Sequence, residues 1–193
     1  MRWLRSKGNR EATMPKRRDV LRAAGLAMLI ALGLVVWVLV DDDNGSDEGS
    51  PTSPGAAAIV DVDGLREVAS EEKTPIYWAG PPAGAELELS RPAADRTFVR
   101  YLTGDAEVDD PRPFLTVGSY RLPDPVAVLR EQGSQPDGVL AKAPRGGVVY
   151  FSREQPESVY LAYPNEGVEI EVFAPSFEQA LQLVTSGEIV PVD

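Results

Sequence analysis

Residues 86–102 read Glu86-Leu87-Glu88-Leu89-Ser90-Arg91-Pro92-Ala93-Ala94-Asp95-Arg96-Thr97-Phe98-Val99-Arg100-Tyr101-Leu102. Alternation of character along both ends of this stretch is strand patterning, because successive side chains on a strand point to opposite faces. Proline and aspartate in the middle are turn residues, so the stretch divides into strands 86–91 and 97–102. In this reading Glu86 and Glu88 lie on the solvent face of their strand. The same spacing puts Glu169 and Glu171 on the solvent face of theirs.

Working outward, apolar runs of strand length recur at 75–79, 114–122, 138–144, 147–152, 158–163, 168–174 and 189–192, with Gly, Pro, Asp or Asn between them. Two segments break the pattern. Pro123-Asp124-Pro125 offers an N-cap aspartate and a proline at the first helical position, and Gly133 stops the helix that Val126 to Gln132 would form. Ser176 and Gln179 make a capping box, Phe177, Ala180, Leu181 and Val184 recur at helical spacing, and Gly187 ends that helix.

These signals come twice in one order. A shift of 62 residues brings Ser90-Arg91 onto Ser152-Arg153, Phe98 onto Tyr160 and Tyr101 onto Tyr163, although only three of the 17 positions from 87 to 103 are identical. Two explanations fit: an internal ββββα duplication, or antiparallel meanders that look alike because hairpins and caps obey the same physics everywhere. Either way the expected class is α+β, a mainly antiparallel twisted sheet with two helices on one face.

Ahead of this domain, 75–193, the charge is arranged in blocks. Residues 1–22 carry eight basic and two acidic side chains, a net of +6; residues 41–193 carry 11 basic and 28 acidic, a net of −17; residues 23–40 carry none. Eighteen uncharged residues at about 1.5 Å each span roughly 27 Å as a helix, enough to cross a hydrocarbon core about 30 Å thick. Ten of the 18 are Leu, Ile or Val, so insertion is favoured by several kcal/mol. Basic residues before the run and Asp41-Asp42-Asp43 after it orient a single-pass transmembrane helix with its N-terminus cytoplasmic and its acidic bulk outside. Arg17-Arg18-Asp19-Val20-Leu21 resembles a twin-arginine export signal, but bulky Trp37 to Val40 followed by three aspartates is a poor cleavage region. The favoured reading is an uncleaved anchor in the plasma membrane, with the lipid bilayer as the partner of 23–40. Ala27 and Ala31 offer a small-residue face of a kind common in any membrane helix. Residues 41–74, rich in Asp, Glu, Gly, Ser and Pro, read as an acidic flexible stalk of roughly 30 Å reach, with a short helix near Leu65 to Ser70. The acids at its start lack the glycine and the twelfth-position acid of an EF-hand loop.

Composition narrows the chemistry. The chain of 193 residues has no cysteine and no histidine, which removes disulfides, thiolate and imidazole metal sites, and every nucleophile that needs an imidazole base. An enzyme would have to work with carboxylates alone or with a Ser-Lys pair. The reading is of no catalytic residue, no metal and no cofactor. Arginines outnumber lysines 15 to four, yet an acidic domain repels phosphate backbones, so nucleic acid is not an expected partner.

Pro75-Ile76-Tyr77-Trp78-Ala79-Gly80-Pro81-Pro82, together with Phe98 to Leu102 and Val159-Tyr160-Leu161-Ala162-Tyr163-Pro164, resembles a family of uncharacterised single-pass membrane proteins of actinobacteria. The resemblance covers nearly all of 75–193. It implies a bacterial plasma-membrane protein with an extracytoplasmic domain, and it carries no activity, ligand or catalytic residue.

Four residues are candidates for ligand contact. Tyr77 and Trp78, beside prolines, suit stacking on a flat ligand, or else anchoring of the first strand in the core. Arg91 and Arg153, at matching places in the two copies, would make an anion site if they converged, and separate surface ion pairs if they did not. The expected function is a membrane-anchored extracytoplasmic binding or interaction module for an envelope protein, polymer or small ligand. The alternatives are an exported hydrolase using carboxylates only, and an accessory regulator of a membrane complex. For the last, 22 cytoplasmic residues are too few to form a folded effector domain.

Overall fold

The computed structural model describes residues 55–193. The predicted cytoplasmic tail 1–22, the transmembrane helix 23–40 and the first part of the stalk lie outside the described residues. Among the described residues no helix is long and apolar enough to cross a membrane.

In chain order the elements are β1 (Ala58–Val60), α1 (Val62–Glu71), β2 (Tyr77–Trp78), β3 (Glu86–Ala93), β4 (Arg96–Leu102), β5 (Thr116–Arg121), α2 (Pro125–Gly133), β6 (Gly138–Lys142), β7 (Val148–Ser152), β8 (Ser158–Ala162), β9 (Val168–Phe173), α3 (Phe177–Ser186) and β10 (Val190–Pro191). Their ends follow capping chemistry. Asp61 accepts from the Gly64 N–H at 2.7 Å to open α1. Asp124, held at φ 49°, accepts from the Ala127 N–H at 3.2 Å to open α2. Ser176 accepts from the Gln179 N–H at 3.3 Å to open α3, and Gly187 closes it at φ 84°. These bonds satisfy N–H groups that the first turn of a helix leaves without partners.

The fold is α+β. Among the described residues an eight-stranded antiparallel sheet runs β1-β3-β4-β5-β9-β8-β7-β6, and β2 pairs with β10 in a separate two-stranded ribbon. β5 and β9 meet at the centre, with Thr116 opposite Phe173 and Arg121 opposite Val168. The order is palindromic: β3-β4-β5 on one side answers β7-β8-β9 on the other, with β1 and β6 as the two edges. The sheet therefore begins before Pro75. Ala58–Val60 pairs with β3, and Val60, Leu65 and Val68 are buried in the main core. The part of the expected stalk from Ala58 to Glu71 is thus folded, because three apolar side chains at strand and helix spacing find a sheet face to cover.

That face carries Leu87 and Leu89, Val99 and Tyr101, Val117, Ile170 and Val172, Val159 and Leu161, and Val149. Leu65 and Val68 of α1 and Ala180 and Val184 of α3 pack on it. α2 does not. Its Val126 and Leu129 pack with Ala162, Tyr160, Tyr150 and Val148, the residues that alternate with Val159, Leu161 and Val149 and so point the other way. The two predicted helices consequently lie on opposite faces of the sheet, which corrects the expectation of one shared face. Their first residues leave the sheet differently: Asp124 is left-handed at φ 49°, whereas Ser176 is extended at φ −125°.

Candidate functional site

The face opposite the main core is polar in sequence and closed in structure. Glu86 is exposed, but Glu88, Glu169 and Glu171 are 0%, 2% and 4% exposed, which overturns the solvent-face reading of those three carboxylates. Period-two alternation separates two faces of a strand without saying whether either meets water. Here the 103–115 segment covers Glu88, and aromatic rings and α2 cover the other half.

Glu88 is fully compensated. Arg100 donates to one of its oxygens at 2.6 Å and the Asp109 N–H to the other at 2.7 Å. Arg100 also donates to the Asp110 carbonyl at 2.6 Å, so this buried ion pair pins the long β4–β5 connection to the sheet.

Glu171 has no cation beside it and is held by hydroxyls instead. Tyr120 donates to one oxygen, and Ser158 at 2.6 Å and Tyr160 at 3.3 Å donate to the other. Burial raises its pKa and these three donors lower it, with burial the larger. Burial and the neighbouring carboxylates push both tyrosines far above their ordinary range, so they remain donors. Glu169, two residues away on the same face, has a buried oxygen with no partner. Burial, then the charge of Glu171, pushes it up to about 7. Burial disfavours the charged form of both carboxyls, and the charge of Glu171 adds to the effect on Glu169.

An open concavity lies elsewhere. A cleft of about 450 Å³ is lined by Asp124, Pro125 and Val126 at the start of α2 and by Tyr163, Pro164, Asn165 and Gly167 between β8 and β9. Asn165 and Gly167 both have positive φ, 68° and 63°, conformations that asparagine tolerates and glycine adopts freely. Tyr163 is fixed from two sides: its ring stacks on Tyr77 at 6.2 Å, and the Arg145 guanidinium lies 4.3 Å above it. Tyr77 in turn donates to Glu166. No member of the carboxyl pair lines this cleft.

Of the four predicted contact residues, Tyr77 and Trp78 are buried in the main core. The Tyr77 N–H donates to the Ser119 hydroxyl at 2.9 Å, and the Trp78 indole N–H is buried without a partner. Tyr77 nevertheless backs the cleft through Tyr163. Arg91 forms an ion pair with Glu72, and Arg153 approaches the Pro136 and Gly138 carbonyls at 3.4 and 3.5 Å. β3 and β7 stand five strand spacings apart, roughly 24 Å, so the two arginines do not converge. Glu169, Glu171 and the cleft residues escaped sequence reasoning as a site; the turn residues at Asn165 and Gly167 were the only local signal. Among the described residues no group of three or more acidic side chains is placed to hold a metal ion. No family model, curated protein or solved structure matches the chain.

Proposed function

We propose that this chain is a membrane-anchored, non-catalytic binding module of a bacterial cell envelope, its N-terminus cytoplasmic and its α+β domain outside the plasma membrane. The observation that carries the reading is the charge plan: +6 over residues 1–22, 18 uncharged residues, and −17 beyond. In the same reading the palindromic sheet descends from an internal duplication, with the helices having diverged in the face they cover. The partner is an envelope protein, polymer or small ligand, and the cleft at Tyr163 and Asn165 is the surface offered to it.

The test is on the full chain in bacterial cells. Alkaline carbonate should leave it in the membrane pellet, protease added to spheroplasts should remove residues 55–193, and N-terminal sequencing should find the mature chain beginning at the initiator end. Release by carbonate, or a mature N-terminus after position 40, defeats the anchor.

A second reading, an exported carboxylate-only hydrolase, is favoured by two buried carboxyls on one face of β9, Glu169 and Glu171. It requires a substrate to reach two side chains that are 2% and 4% exposed and do not line the cleft. That disagreement is why binding is preferred.

A further inference from the structure

Among the described residues the eight-stranded sheet ends in two edges that pair with no further strand, β1 and β6. β6 reads Gly138-Val139-Leu140-Ala141-Lys142 and pairs with β7 in unbroken register, Gly138 opposite Ser152 through Lys142 opposite Val148. Bonds just beyond each end fix the phase of this ladder: the Arg153 N–H donates to the Asp137 carbonyl at 2.9 Å, and the Ala143 N–H to the Gly147 carbonyl at 3.0 Å. In an antiparallel pair bonded and non-bonded positions alternate. Residues 137, 139, 141 and 143 therefore turn their peptide groups toward β7, and 138, 140 and 142 turn theirs away from the sheet. The Gly138 N–H is taken by the Gln135 carbonyl at 3.0 Å, and the Gly138 carbonyl has only the 3.5 Å approach of Arg153.

Natural sheets blunt such edges with short strands, lysines, proline, bulges or inward charges. β6 is short and carries one lysine, Lys142, but it has no proline, bulge or inward charge, and Leu140 at its centre is 45% exposed. We propose that β6 pairs with β6 of a second copy, antiparallel about a two-fold axis at Leu140, joining two sheets edge to edge. In that register Leu140 faces Leu140 and exchanges two backbone bonds, and Lys142 of each copy donates its N–H to the carbonyl of Gly138 in the other. Charge complementarity selects this occupant. Among the described residues Lys142 makes no ion pair, while Asp137, bound to the Ser152 hydroxyl at 2.6 Å, lies beside Gly138. With no side chain on Gly138, the incoming lysine passes over it toward that carboxylate. A strand of five residues makes a small interface, so the association is weak and reversible. The pairing requires no particular location for residues 23–40.

The absence of cysteine makes the test unambiguous. Leu140→Cys and Ile59→Cys, the latter on β1 and similarly exposed at 42%, are each introduced into the full chain and oxidised mildly in detergent and in native membranes. Bonded residues facing each other across an antiparallel pair are about 5.5 Å apart at Cα, within disulfide range, so L140C should form a dimer at least about tenfold more efficiently than I59C. Adding Lys142→Glu, which sets a glutamate toward Asp137 of the other copy, should reduce the L140C dimer several-fold. Equal cross-linking of I59C overturns the proposal, as does a mixed 59–140 link, which marks an open-ended head-to-tail sheet. A disulfide from L140C to a different protein also overturns it, and so does an L140C chain that stays monomeric while its thiol reacts freely with maleimide.

Discussion

Tyr120 reaches Glu171 by lying across Gly118. Gly118 stands opposite Glu171 in the central β5–β9 pair, and the Tyr120 ring folds back over it to place the hydroxyl on the carboxylate. A Cβ at Gly118 would sit 2.9 Å from the Tyr120 ring, 3.2 Å from its hydroxyl and 3.2 Å from Phe98. The missing side chain is what allows an aromatic ring to close the polar face.

Gly118→Ala should therefore destabilise the domain by about 1–3 kcal/mol, the usual cost of overpacking, as the ring shifts and its bond to Glu171 is lost. Urea unfolding of the variant measures this. An unchanged midpoint would mean that the ring does not need the glycine.

The carboxyl pair makes stability depend on pH in the sense opposite to that of an ion-paired acid. Glu169 rises from 4.5 to about 7 in the folded chain. Below about pH 4.5 both folded and unfolded states hold the proton. Between that value and about 7 only the folded state does, so stability falls as pH rises; above about 7 this group adds no further change. A shift of this size corresponds to something on the order of 3 kcal/mol. The groups facing Glu169 are Glu171 on its own strand, Tyr120 on β5 and Tyr160 on β8; α2 presents Val126 and Leu129 to this half of the face. Glu169→Gln should match the parent near pH 5 and exceed it near pH 8, as read by thermal melts across that range. A parent whose melting temperature is flat from pH 5 to pH 8 contradicts the assignment.

Most strands and the capped helices α2 and α3 were legible because period-two alternation, N-cap side chains and stop glycines are local signals. β1 was not, since Ala58-Ile59-Val60 is too short to stand out between glycine, serine and aspartate, and only its pairing with Leu87 to Leu89 makes it a strand. The face chosen by α2 was hidden for a related reason. A cap says where a helix starts and nothing about which side of the sheet the chain crosses to. Burial of Glu88, Glu169 and Glu171 was hidden most deeply, because Arg100 reaches Glu88 only after β3 and β4 pair, and Tyr120 reaches Glu171 only after β5 and β9 do. The cleft likewise needs Asp124 and Asn165 in one place, 41 residues apart in the chain.

Arg100 is the only basic side chain that pairs with a fully buried acid among the described residues. Arg100→Met should cost about 3–5 kcal/mol, since it strands Glu88 as an uncompensated buried charge, and the double variant with Glu88→Leu should recover much of that loss. Residues 103–112 should become sensitive to limited proteolysis in the single variant, because Arg100 also holds the Asp110 carbonyl. If Arg100→Met and the double variant melt alike, the pair contributes no such coupling.

Tyr101 joins the β2 ribbon to the main sheet through one oxygen. Its hydroxyl accepts from the Ala79 N–H at 2.8 Å and donates to the Gly80 carbonyl at 2.9 Å, and burial pushes its pKa up to about 12. Removing the hydroxyl leaves two backbone groups without their partner, each costly when kept from water. Tyr101→Phe should lower stability by about 1–3 kcal/mol and should speed hydrogen exchange at the Ala79 amide well beyond the change at strand amides of β4. Ser119→Ala, which removes the acceptor for the Tyr77 N–H, should speed exchange at Tyr77 in the same way while leaving Ala79 protected. Uniform acceleration across the whole domain in both variants would place the loss in global unfolding and deny the hydroxyls a local role in seating Tyr77 behind the cleft.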